Sequence, residues 1–260
     1  MRRAALIAAA LAALCAAAVP VWAATNGEGD LVVSFDGGIS PAKLPRKQLA
    51  PVAVRVGGDV RSASGAAEQL PQLRRITVAI NRQGRLFDRG LPVCRARQIQ
   101  PAREKNARRI CRGALVGDGH VRVQVRIPGQ PPFTVRAKLL AFNGPRRGGR
   151  KLIFAQAYAK DPPGAFILTF TVRRRKGTFG TVLTTTLPKQ TRKWAYLTHF
   201  DLRLRRTYGY RGKRRSYVSA SCAAPAGFES AVYPFARATY RFADGQRLTL
   251  SESGVCRVAG

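Results

Sequence analysis

His120-Val121-Arg122-Val123-Gln124-Val125-Arg126 decides the fold class. Its valines alternate with His, Arg and Gln, so in an extended chain the valines share one face and the polar side chains the other. The apolar period is that of a half-buried strand and not of a helix. Working outward, the same alternation recurs at Arg75-Ile76-Thr77-Val78-Ala79-Ile80 and at Phe200-Asp201-Leu202-Arg203-Leu204-Arg205, whose two arginines fall on the wet face. The run from Ala165 to Val172 is more uniformly apolar and predicts a central strand. Turn chemistry separates these segments. Asp244-Gly245 is a favoured two-residue hairpin turn, Lys176-Gly177 turns the Ala165 strand back, and Gln83-Gly84 ends the Ile76 strand. Asn143-Gly144, with Gly148-Gly149 soon after, separates Phe133–Phe142 from Lys151–Tyr158. Short strands recurring at such spacing suit a sandwich or a barrel, and an all-β, mostly antiparallel β-sandwich is the form expected here. One segment departs from it. Between Arg97 and Ile110, Pro101 opens a run of good helix formers, flanked by Cys94 and Cys111, which predicts a short helix or loop closed by a disulfide.

The first residues have the three parts of a secretory leader: Arg2-Arg3, the uncharged run Ala4–Ala18, and the small–x–small Val21-Trp22-Ala23 after Pro20. Cleavage is expected after Ala23 or Ala24. The run falls short of the ~20 apolar residues of a spanning helix, and no second such run follows, so no transmembrane span is expected in the mature chain. An uncleaved N-terminal anchor is the alternative. Leu14 before Cys15 does not suit a lipoprotein signal, and Arg2-Arg3 reads as the ordinary positive start of a leader, not as a twin-arginine signal. Residues 24–260 read as a single β-sandwich-like domain, with a candidate internal boundary near 188–193. The expected location is secreted or envelope-associated.

Cysteine usage agrees. Beyond Cys15 in the leader there remain Cys94, Cys111, Cys222 and Cys256, an even number suited to an oxidising compartment. Four cysteines allow three pairings. Cys94–Cys111 and Cys222–Cys256 are expected, because each pair brackets a short local segment. A zinc site is the alternative reading, and it lacks the C-x-x-C spacing. No metal and no cofactor are expected.

Several stretches are similar to uncharacterised secreted β-rich proteins of high-GC actinobacteria, a group with no assigned activity. They are Gly90-Leu91-Pro92-Val93-Cys94, the run Cys111-Arg112-Gly113-Ala114-Leu115-Val116-Gly117-Asp118-Gly119, Leu140–Gly144, the run from Lys213 to Cys222, and Thr239–Gly245. The resemblance implies export and a β-rich fold. It brings no site residues.

Charge is the most unusual property of the chain. The formal net charge is +33, and loss of Arg2 and Arg3 with the leader leaves +31. Arginine outnumbers lysine by 36 to 10. A field of that sign attracts polyanions in a salt-dependent way. For an exported protein those are wall polymers, anionic membrane surfaces and extracellular nucleic acid. Two clusters are candidate anion sites. Arg173, Arg174, Arg175 and Lys176 sit at a hairpin tip. Arg203, Arg205, Arg206, Arg211, Lys213, Arg214 and Arg215 surround Tyr208 and Tyr210, an interleaving suited to phosphate contact plus stacking. A solvated, solubilising face is the plainer reading of both, and no nucleic-acid module signature accompanies them.

Catalytic signals are sparse. His199-Phe200-Asp201 puts imidazole and carboxylate on one strand face, and with Ser219 or Ser221 nearby it would sketch a hydrolase. No G-x-S-x-G elbow presents the serine, so a surface histidine is the plainer reading, as a turn residue is for His120. Thirteen acids leave few candidates for a glycosidase pair; Glu229 and Glu252 are two that a sheet could bring together, and neutralising nearby arginines is the plainer role for both. The sequence therefore favours a basic, non-enzymatic secreted protein binding anionic cell-envelope polymers. An extracellular hydrolase using His199 and Asp201, or a non-specific nucleic-acid binder, is the alternative. Oligomeric state is not encoded in any motif.

Overall fold

A computed structural model describes residues 23–65, 70–188 and 194–259. The leader expected over residues 1–23 lies outside them except for Ala23, and the boundary expected near 188–193 except for Pro188. In chain order the elements are β1 (Ala24–Glu28), β2 (Leu31–Ser40), β3 (Lys43–Leu44), β4 (Ala50–Pro51), β5 (Ala53–Ser62), β6 (Leu73–Asn81) and β7 (Gly84–Leu86). Two short helices follow, α1 (Ala96–Ile99) and α2 (Glu104–Ile110). Then come β8 (Leu115–Val125), β9 (Phe133–Arg147), β10 (Arg150–Ala159), β11 (Gly164–Arg174), β12 (Phe179–Thr186) and β13 (Ala195–Leu204). The chain ends with β14 (Thr207–Tyr210), β15 (Lys213–Ser216), β16 (Val218–Ala220), β17 (Ser230–Phe242) and β18 (Arg247–Val258).

One sheet takes most of these strands, in the order β1-β2-β5-β13-β8-β9-β10-β11-β12-β6-β17-β18-β3. Its neighbours are antiparallel except at the last pair, where β18 runs parallel to β3. The fold is thus all-β and mostly antiparallel, as the alternation requires. The facing layers of the expected sandwich are two parts of this single sheet, curled on itself. The curl brings its ends together: the Ala24 N–H donates to Glu252 Oε2 at 3.2 Å, and Asn26 Nδ2 to the Thr249 carbonyl at 3.3 Å. Inward side chains from all round the curl meet in one core, among them Phe35 of β2, Val121 of β8, Ile153 of β10 and Tyr240 of β17. A small second sheet, β4-β16-β7, adds Val218 and Ala220 to that core.

The outer face of the sheet is covered where β9 and β10 run under the helical segment. Cys94, Ile99, Ala107 and Cys111 pack there on Leu140, Phe142, Leu152 and Phe154. Cys94 and Cys111 are disulfide-bonded, as are Cys222 and Cys256. Glu104 and Arg108 pair one turn apart in α2, at 2.9 Å. Gln156, fully buried on the outer face of β10, donates to the carbonyls of Ile99 and Ala102 and so satisfies groups that the short helices leave open.

β11 is a central strand, between β10 and β12, as its apolar run predicts, and β10 beside it is buried along nearly its whole length, its outer face covered by the helical segment. One local expectation shifts. Asn143-Gly144 does not turn the chain: it lies within β9, and the reversal comes at Gly148-Gly149. Asn143 is held in the strand by donating from Nδ2 to Pro92 O and accepting at its carbonyl from the Cys94 N–H.

Candidate anion-binding groove

Strand register places three basic segments together. Lys151 pairs with Arg146 on one side and with Val172 on the other. The β9–β10 turn and the end of β11 therefore lie at the same edge of the curl. The segment after β7 joins them, because Arg146 reaches Asp88 Oδ2 at 3.2 Å. Between them runs a groove of about 710 Å3 lined by Arg89, Arg146, Arg150, Lys151 and Arg173 to Arg175, with Phe87 and Asp88. Seven cations thus face one carboxylate. Among the described residues only Arg146 and Lys151 share Asp88; Arg89, Arg150, Arg173, Arg174 and Arg175 enter no ion pair.

The second cluster approaches this groove from behind. The β14–β15 hairpin packs against Phe87. Tyr208 Oη donates to the carbonyls of Phe87 and Arg89 at 3.2 and 3.0 Å. The Tyr210 ring meets Phe87 edge-on at 6.1 Å, and the Arg215 guanidinium lies 5.5 Å from the Phe87 centroid. Arg211, at the tip, sits 5.4 Å over Tyr210 with φ of 51°, a left-handed backbone that favours Gly or Asn. Lys213 and Arg214 are exposed on the same hairpin, and Lys176 lies in the turn beyond Arg175. Arg203 and Arg205 are elsewhere: Arg203 pairs in register with Asp118, and Arg205 reaches the Asp118 carboxylate at 3.5 Å. Sequence reading therefore found the β11 tip of the groove and missed Arg89, Arg146, Arg150 and Lys151. The run Arg146-Arg147-Gly148-Gly149-Arg150-Lys151, a basic hairpin tip like Arg173–Lys176, carried the signal.

Lys151 forms the floor. Its side chain is 7% exposed, and Nζ lies 3.9 Å from Asp88 and 4.2 Å above the Tyr217 ring, without a hydrogen-bond acceptor. Burial, only partly offset by Asp88, lowers its pKa to about 8. Burial first and Asp88 second push Tyr208 up to about 12. For Lys151 the linkage sign is the reverse of an ordinary ion pair. A depressed lysine pKa means that charged Lys151 opposes folding at neutral pH and that the cost fades as pH rises from about 8 toward 10.5. Lys151→Met is accordingly expected to raise Tm at pH 7 by about 3 °C, with the gain gone by pH ~10.5, in thermal scans across that range. A variant no more stable than the parent at pH 7 would show that Lys151 is well solvated.

The histidine candidates lie in a second, open groove of about 1150 Å3 lined by His120, His199, Arg122, Arg136, Lys138 and Glu104 among others. His199 Nδ1 is 2.9 Å from Asp59 Oδ1 and not paired with Asp201, whose carboxylate takes Arg55 Nε at 2.6 Å. The serine near this pair is Ser34, which contacts Asp59 and not the imidazole. Ser221 Oγ donates to Gln83 Oε1 at 2.8 Å, and Ser219 lies on β16 in the small sheet. No hydroxyl or thiol among the described residues is hydrogen-bonded to either imidazole. Glu229 and Glu252 do not meet: Glu229 O bonds the Val258 N–H, six residues along β18 from Glu252.

Compared with known proteins, the chain matches no family model, no curated protein and no solved structure.

Proposed function

We propose that this chain is an exported, non-enzymatic protein that binds anionic cell-envelope polymers in the arginine groove. The observation that carries the reading is the groove itself: five arginines without an ion pair among the described residues, beside Arg146 and Lys151, four of them on two adjacent hairpin tips and Arg89 on the segment after β7. Arginine forks suit phosphate and carboxylate groups, and cations from three separate segments suit a ligand carrying several anionic groups. The leader-like first residues, the two disulfides and the resemblance to secreted actinobacterial proteins support export. No helix among the described residues is long and apolar enough to cross a membrane.

The test is binding of purified exported protein to long-chain polyphosphate and to phosphate-rich wall polymer at two salt concentrations. Changing Arg173, Arg174 and Arg175 together to Gln is expected to weaken binding about tenfold and to flatten its salt dependence. The pair Arg203→Gln and Arg205→Gln, outside the groove, is expected to stay within about twofold. No binding at low salt, or equal losses in the two variants, would rule the groove out. Equal affinity for single-stranded DNA would favour the non-specific nucleic-acid reading.

A further inference from the structure

Glu252, on β18, is 4% exposed in a chain of net charge +33, and yet no cation among the described residues pairs with it. Among the described residues it enters no ion pair. The hydrogen bond that reaches it comes from the backbone N–H of Ala24, 3.2 Å from Oε2. The space around it, about 670 Å3, is lined by Ala23, Ala24, Gly37, Tyr233, Ser251 and Gly254 among others, and by no lysine or arginine among the described residues. Asp36 of β2 is the nearby charge, of the same sign, and its own partner is Arg55. Burial and Asp36 both favour protonated Glu252, with only the Ala24 N–H opposing. A largely buried carboxylate with one amide for company is costly, and buried charges are ordinarily paired.

The missing partner is available one bond away. The leader's small–x–small run permits cleavage on either side of Ala24. Hydrolysis of the Ala23–Ala24 bond adds water across it: Ala23 leaves with the leader as a carboxylate, and the Ala24 nitrogen takes a proton to become an ammonium. That nitrogen already stands 3.2 Å from Glu252. Cleavage after Ala24 would remove it. We propose that Ala24 is the mature N-terminus and that its α-ammonium is the counter-ion of Glu252, pinning β1 across β18 where the curled sheet closes. The inference rests on the export reading, not on the groove. An α-amine titrates ordinarily near ~8, and a facing carboxylate favours its charged form. Processing would then complete the fold's closure, because the uncleaved chain offers Glu252 only an amide.

The experiment uses the full chain, exported by a secreting host. Intact mass and N-terminal sequencing are expected to show a product beginning at Ala24. A second product carries Gly-Ser-Gly-Ser between Ala23 and Ala24, confirmed by mass, so that its ammonium is displaced; both are also made with Glu252→Gln. The extension is expected to lower Tm by about 5 °C in the parent and by about 1 °C or less in the Glu252→Gln background, where a neutral amide replaces the carboxylate. Equal losses in both backgrounds, or a mature chain beginning at another residue, would overturn the proposal. A retained leader would overturn the export reading with it, whereas cleavage at another bond would overturn the pairing alone.

Discussion

Gly119→Ala is expected to destabilise the folded chain by about 3 kcal/mol and lower Tm by about 10 °C. Gly119 lies in β8, opposite Leu202 of β13. A Cβ built there overlaps the Asp201 carbonyl oxygen outright and comes within 2.9 Å of its carbonyl carbon and 3.0 Å of Leu202 Cα. All three atoms are backbone of the neighbouring strand, so no rotamer change relieves the overlap. The strands must separate, and the Asp201–Arg55 and Asp118–Arg205 pairs on either side would move with them. The glycine thus marks a close backbone approach in a bending strand. The control is Gly38→Ala in β2, where a Cβ meets nothing within 4 Å; it is expected to change stability by ~0.5 kcal/mol or less. Denaturant melts of the two variants decide it, and similar midpoints would show that β8 and β13 are not so close.

The same glycines explain where the fold was legible and where it was not. Alternation at 120–126 was readable because valine and arginine contrast strongly on opposite faces. The first half of that strand, Leu115–Gly119, was not, since Gly117 and Gly119 carry no side chain to alternate and glycine disfavours strands. Asn143-Gly144 failed as a turn for a related reason: turn propensity is local, and the pull of Pro92 and Cys94 on Asn143 is tertiary. The disulfides were legible because proximity along the chain and proximity in the fold coincide in both. That the layers form one curled sheet was not legible, because it depends on which strands pair across long separations, such as β5 with β13 and β6 with β12.

The site was half legible. A run of like charges on a hairpin tip can be seen in sequence, but its opposition to a second tip depends on register. Lys151 illustrates the point: in the run Arg150-Lys151 it looks like one more surface cation, yet its place on the inward face of β10 buries it over Tyr217. His199 and Asp201 show the converse. Two residues apart on a strand they share a face, but neighbouring β5 brings Asp59 opposite His199 and Arg55 beside Asp201. Cross-strand partners then outcompete the pairing suggested along the chain.

Removing the Cys222–Cys256 bridge, as Cys222→Ala with Cys256→Ala, is expected to cost about 4 kcal/mol, more than Gly119→Ala. In the chain-entropy view the cost grows with the loop closed. This bridge spans a separation of 34 against 17 for Cys94–Cys111, for which ~3 kcal/mol is expected. Position sharpens the difference. Cys222 follows β16, and its N–H donates to the Pro45 carbonyl; Cys256 lies on β18, next to the short edge strand β3. Both sulfurs are buried in the main core. The bridge therefore ties the small sheet to the far edge of the curl, the edge that β1 must reach. Its loss is expected to lower the denaturant midpoint of the whole transition, whereas loss of Cys94–Cys111 should first show as faster hydrogen exchange in residues 94–114. Dithiothreitol treatment of the parent should reproduce both effects. A reduced protein melting at the parent's midpoint would mean that packing alone holds the edge, and the closing of the curl would then rest on β1 and Glu252.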